Sequence, residues 1–247
     1  MPVIHGDCME VMKRFDNNTF DAIITDLPFG TTQNSWDVII PFDNLWEQYN
    51  RIRKKNAPIV LFGQGMFTAI SMLSNSKMWR YNLIWDKGNR PTGFLNAKKM
   101  PLRSHEDILV FYESLPTFNP QMWEGNSSTH SRGNKNKNLN NNYGKFEPTP
   151  TVDYGNKKFP TSILRFPKPH PPIHPTQKSV PLLEYLIRTY TNENDIVLDS
   201  CIGSGTTAVA CIRSNRKFVG IEKEEKYFKM ANEEIKKEYE MRDHQQR

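Results

Sequence analysis

Ile196-Val197-Leu198-Asp199-Ser200-Cys201-Ile202-Gly203-Ser204-Gly205-Thr206-Thr207 reads as a short apolar strand that breaks at an acid into a glycine loop, after which Ala208, Val209 and Ala210 continue a helix. A loop leaving the carboxyl end of a parallel strand is where open α/β sheets bind ligands. Gly203 and Gly205 permit a tight turn and let a ligand approach with no Cβ in the way. The loop is not a P-loop, because no Lys-Ser/Thr pair follows the glycines, and it lacks the third glycine of GxGxxG. Glu222 closes the next apolar run, Lys217-Phe218-Val219-Gly220-Ile221, about 20 residues beyond Asp199, the spacing at which Rossmann-type sites place an acid on ribose hydroxyls. The bland alternatives are a solvated strand end for Glu222 and a helix cap or loop organiser for Asp199.

Outward from this loop, strand-length apolar runs alternate with segments of helical period. Strands are predicted over 20–25, 57–62, 81–86, 107–112, 195–199 and 217–221. Most are continuous Val/Ile/Leu/Phe runs, as strands covered on both faces require. Leu45, Tyr49 and Ile52 mark one helix; Met66, Ile70 and Leu73 mark another. Leu182, Leu183, Leu186, Ile187 and Tyr190 mark a third, with Ser179 as N-cap and Pro181 in its first turn. Such alternation predicts a doubly wound, mostly parallel sheet, with residues 81–113 able to supply an antiparallel pair. The stretch 114–172 breaks the pattern. Asn134, Asn136, Asn138, Asn140, Asn141 and Asn142 interleave with Lys135 and Lys137, and prolines follow. Asn and Lys suit base edges and phosphates respectively, so the insertion reads as either a DNA-contacting loop or a plain mobile one.

A length of 247 residues allows one large α/β domain with an inserted lobe. The net charge of +6 makes a polyanionic partner plausible, although simple solubility explains it equally well. Cys8, Cys201 and Cys211 show no CxxC spacing, which argues against a zinc site or disulfide framework and for a reduced, cytoplasmic setting. No run approaches the roughly 18 apolar residues of a membrane span, and no signal peptide is visible.

Near the start, Phe20-Asp21-Ala22-Ile23-Ile24-Thr25-Asp26-Leu27-Pro28-Phe29-Gly30 reads as a buried strand ending in an acid, a proline and an aromatic. The Asp26 carboxylate and the carbonyl beside Pro28 could both accept hydrogen bonds from an exocyclic amine, and Phe29 offers a face for a flat base. Held so, the amine turns its lone pair toward an electrophile, which suits methyl transfer to nitrogen, where positioning outweighs a strong base. Without context, Asp-x-Pro-aromatic is equally a strand-to-turn signal.

Taken together, these residues resemble the amino-group DNA methyltransferases that use S-adenosylmethionine. Asp26-Leu27-Pro28-Phe29 is similar to their Asp-Pro-Pro-Tyr/Phe motif, and Asp199 to Thr207 to their cofactor loop. His174-Pro175-Thr176-Gln177-Lys178, Gly6-Asp7-Cys8, Asn82-Leu83-Ile84-Trp85-Asp86-Lys87 and Ser104-His105-Glu106-Asp107-Ile108-Leu109 carry further matches. With the catalytic motif first and the cofactor loop last, the order resembles the β arrangement of that family. The resemblance implies a Rossmann-like, doubly wound, mostly parallel sheet of seven strands with an inserted target-recognition region. It divides the chain into a catalytic part (1–113), a variable insertion (114–172) and a cofactor-binding part (173–247).

It further implies that Asp26, Pro28 and Phe29 hold the target base, and that Asp26 also borders the cofactor. Asp199, Gly203, Gly205, Thr206 and Thr207 would line the cofactor site, with Glu222 on the ribose. Asp7 would meet its adenine end, Cys8 would also bind the cofactor, and His174, Thr176, Gln177 and Lys178 would sit near its methionine end. No metal is implied. Leu27 replaces the usual first proline, and Ser200-Cys201 replaces Pro-Phe, removing an aromatic contact near the cofactor. The activity implied is N6 methylation of an adenine flipped out of double-stranded DNA, since a paired amino group cannot meet the methyl donor in line. N4-cytosine methylation, a catalytically inactive DNA-binding relative and an RNA or protein methyltransferase are the alternatives. A prophage or restriction-modification setting with a cognate endonuclease, and a homodimer, are left open.

Overall fold

The computed structural model describes residues 2–88, 90–125, 154–171 and 177–245. The Asn/Lys-rich run, His174 and Thr176 lie outside them. The chain divides into two compact units, Met1–Asn119 with Thr161–Arg247, and Pro120–Pro160.

Among the described residues, the larger unit is built on one eight-stranded sheet. In chain order its strands are β1 (Val3–His5), β2 (Ala22–Thr25), β3 (Ile59–Gly63), β4 (Trp79–Asp86), β5 (His105–Phe111), then β8 (Ile163–Arg165), β9 (Ile196–Asp199) and β10 (Lys217–Glu222). They are arranged β1-β10-β9-β2-β3-β5-β4-β8. All neighbours are parallel except β5, which runs against both β3 and β4. The antiparallel pair lies in the segment where the sequence allowed one. The sheet has eight strands where seven are implied; β8 closes the far edge by pairing Ile84–Asp86 with Ile163–Arg165. The residues of β8 fall within the stretch that the sequence assigns to the insertion.

Among the described residues, six helices cover the sheet: α1 (Cys8–Met12), α2 (Phe42–Ile52), α3 (Met66–Ser74), α4 (Val180–Tyr190), α5 (Thr206–Arg213) and α6 (Glu225–Gln245). Alternate residues of each central strand enter two separate cores. Ala22, Ile24, Val60 and Phe62 pack with Leu182, Leu186, Ala208 and Ala231 of α4, α5 and α6. Ile23, Ile59 and Leu61 pack with Val11, Leu45, Tyr49 and Phe67 of α1, α2 and α3. Burial on both faces is why these strands read as unbroken apolar runs.

One helix turns its predicted stripe outward. In α3, Phe67, Thr68 and Ser71 are buried, while Met66 and Leu73 are 74% and 77% exposed. The helix forms where the apolar period places it, but on a different face. Sequence periodicity did not mark β1, β8, α1 or α6. The strands are three residues long, and α6 is largely charged along its length.

The smaller unit contains a two-stranded antiparallel ribbon, β6 (Trp123–Glu124) with β7 (Lys157–Lys158). Trp123 Nε1 donates to the Phe159 carbonyl at 3.2 Å.

Candidate active site

The order of the sheet reverses between β9 and β2, and the carboxyl ends of both strands open there, where open α/β sheets form ligand crevices. A cavity of about 650 Å³ occupies this position. Asp26, Pro28 and Phe29 at the end of β2 line it, as do Asp199, Gly203, Thr206 and Thr207 after β9, and Glu222 at the end of β10. Asp7, Cys8, Gln177 and Lys178 line it too.

At one wall, Asp26 sits in a chain of buried charges. Lys178 Nζ lies 2.6 Å from Asp26 Oδ2 and 3.1 Å from Glu106 Oε2, and Lys87 Nζ lies 2.7 Å from Glu106 Oε1. The two cations balance the two carboxylates, which an ion cluster this deep requires. Lys178 also lies over the Phe62 ring at 5.0 Å and the Phe29 ring at 5.8 Å. Asp26 Oδ1 is buried with no hydrogen-bond partner among the described residues. Burial pushes the Asp26 carboxyl up to about 6, against the lowering pull of Lys178. Burial opposes ionisation of Glu106 as well, yet Lys178 and Lys87 hold it below the usual carboxylate range. Phe29 is backed by Phe67, stacked at 4.6 Å.

The next loop is fixed by Asp37, whose carboxylate accepts the amides of Gly30, Thr31 and Thr32 at 2.6–2.9 Å. Trp36, carried on this loop, meets Tyr227 edge-on at 6.3 Å, and both line the cavity.

On the opposite wall, both Glu222 oxygens accept backbone amides, Gly203 N at 2.9 Å and Glu224 N at 2.8 Å. A carboxylate has about four acceptor sites, so these bonds leave it acceptor capacity. Burial raises the Glu222 carboxyl, and these amides oppose the rise.

Asp199 is more fully occupied. It accepts Thr25 Oγ1 at 2.8 Å, Cys201 N at 3.1 Å and Thr207 Oγ1 at 2.6 Å. It therefore organises the loop as well as bordering the cavity. Asp7 caps α1 through Met9 N at 2.9 Å and faces Lys223 at 3.3 Å. Ser200, where the resembled motif has proline, is buried and bonded to the Tyr49 hydroxyl at 2.6 Å, so it ties β9 to α2.

Gly205 departs from expectation. It is not among the residues lining the cavity. A Cβ built on it would stand 3.0 Å from Ala231 Cα and 3.2 Å from the Ala231 carbonyl oxygen. Its φ of +86° opens α5. The missing side chain makes room for α6 rather than for a ligand.

In the sequence, Glu106 and Lys87 stand within segments that resemble the family but carry no signal of a role of their own. Asp37 and Trp36 carried no sequence signal at all. Spacing says nothing about which distant charges share a buried pocket.

The chain matches the profile of a family described as DNA methylase, of the N6/N4 methyltransferase type, over residues 20–233. It is 28% identical to the type II methyltransferase M.HpaI of Haemophilus parainfluenzae, over 96% of this chain and 74% of that protein. It is 27% identical to the DNA adenine methyltransferase YhdJ of Escherichia coli K12, over 93% and 80%. Among solved structures, an M1.HpyAVI–SAM complex superposes with a TM-score of 0.60 at 26% identity, covering 94% of this chain and 98% of that one. The cytosine-N4-specific PvuII DNA methyltransferase superposes at 0.66 and 16% identity, over 96% and 90%, a likeness of fold alone.

Proposed function

This chain belongs to the DNA methylase family, and on that premise we propose that it methylates the N6 amino group of an adenine flipped out of duplex DNA. The observation that carries the reading is Asp26 Oδ1, a buried acceptor that finds no partner among the described residues, on the wall of a large cavity. Leaving such an oxygen unpaired costs roughly 1–3 kcal/mol, which an amine N–H donor recovers. The Leu27 carbonyl accepts the second amine hydrogen, and Pro28, having no N–H, offers no competing donor. Phe29, backed by Phe67, supports the face of the base.

The cavity residues fit S-adenosylmethionine: Glu222 would hold the ribose hydroxyls, Asp7 would meet the adenine end, Gln177 and Lys178 would sit near the methionine end, and Cys8 would line the same site. When bound, this cofactor supplies an electrophilic methyl group. The work of the chain is to orient the amine. Lys178 keeps Asp26 ionised so that it can accept, and Asp26 would take the proton that the amine gives up as its nitrogen gains the methyl group and the methyl–sulfur bond breaks. His174 and Thr176 belong to the same proposed set on the strength of the motif alone.

Adenine is favoured by the acid at position 26 and by the adenine specificity named for YhdJ. Nucleoside mass spectrometry of unmethylated DNA incubated with the protein and S-adenosylmethionine tests the reading, with Asp26→Ala in parallel. N6-methyladenine that vanishes in the variant is the expected result. N4-methylcytosine overturns the base assignment, and cofactor binding without any DNA product overturns the substrate.

A further inference from the structure

Between β4 and β5 the chain makes an excursion over residues 87–104 to which the reading above gives no task. Beyond the buried Lys87 it carries Arg90, Lys98, Lys99 and Arg103, and it contains no acid. Thr92 and Arg103 close its base through two backbone hydrogen bonds of 2.9 Å, and Arg103 donates to Gln64 at 2.8 Å. Both Thr92 and Arg103 line the cavity that Asp26 and Phe29 line. The excursion is thus pinned at the rim of the site. From that base Gly93, at φ +94°, turns the chain into a short 3-10 helix, Phe94–Asn96. Its apolar residues face outward: Phe94 is 67% exposed and Leu95 102%.

An apolar tip on an acid-free cationic loop fits an occupant that is anionic outside and apolar within. A second copy of this chain, with net charge +6, would meet the cations with like charge. A DNA duplex has the required combination: phosphates on its surface and a base stack inside. Flipping a base leaves a gap in that stack, and apolar side chains entering between base steps are an established way to fill such space. We infer that Phe94 and Leu95 form a wedge that enters the duplex and fills the gap left by the flipped base, while Arg90, Lys98 and Lys99 hold the flanking phosphates. This rests on the reading of the chain as a base-flipping DNA methyltransferase.

The test uses the full chain. The methylated sequence is first mapped on DNA modified by the wild type. Duplexes carrying that site are then made fully paired, or with an abasic position opposite the target base. On the paired duplex, the Phe94→Ser/Leu95→Ser variant should lose about tenfold or more in kcat/KM. On the abasic duplex, where pairing no longer resists extrusion, it should come within about threefold of wild type. Lys98→Ser/Lys99→Ser should instead weaken binding to both duplexes alike and flatten the salt dependence. The wedge is overturned if the apolar variant matches wild type on paired DNA, or loses equally on both duplexes. A wild type that binds S-adenosylmethionine but modifies no DNA fails earlier, at the premise, before any variant is made.

Discussion

Asp26 is under two opposing demands: it must be ionised to accept an amine hydrogen, yet its burial favours the protonated acid. The folded carboxyl sits near 6, above its ordinary value, so it is protonated below that pH and ionised above it. The rate of methyl transfer should therefore fall as pH drops through about 6, with cofactor affinity changing less; a pH profile of kcat/KM checks this. Lys178→Met removes the cation that holds this carboxyl down. The acidic limb should then move to higher pH, and an unmoved limb would detach Lys178 from Asp26. Asp26→Ala should abolish transfer and largely spare cofactor binding, read by calorimetry, because Glu222 and the glycine loop lie on other strands.

At the scale of elements, the loop between β9 and α5 shows two glycines with different tasks. Gly203 gives its amide to Glu222 at the cavity, whereas Gly205 faces Ala231 of α6. Gly205→Ala combines a left-handed backbone with a collision against α6, and should cost roughly 2–4 kcal/mol of stability. Chemical denaturation measures this, and a variant as stable as wild type would contradict the packing account. If Gly205 instead contacted the ligand, the variant would lose cofactor affinity with stability unchanged. The motif was legible because glycine suits a left-handed φ best; that Ala231 of α6 crowds the position was not. Similarly, Met66, Ile70 and Leu73 located α3 correctly but pointed to the wrong face, since periodicity gives a stripe and not its partner.

For the whole molecule, the charge balance of +6 and the cationic excursion at the cavity rim make DNA affinity an ionic-strength effect. Duplex binding should weaken by about tenfold or more between 50 and 200 mM salt, as released counterions dictate, and fluorescence anisotropy across that range tests it. Among the described residues no helix is long and apolar enough to cross a membrane. The alternation of strands and helices, the positions of six central strands, and the acids ending β2, β9 and β10 were all determined by the sequence itself. Those features are local: apolar period, turn chemistry and strand ends are written in consecutive residues. Only the tertiary structure decided that Lys87, Glu106 and Lys178 share charge with Asp26, that Ser200 is held by Tyr49, and that Gly205 serves α6. Each of these depends on side chains brought together from distant parts of the chain, and burial, which sets their energies, exists only once the sheet has closed around them.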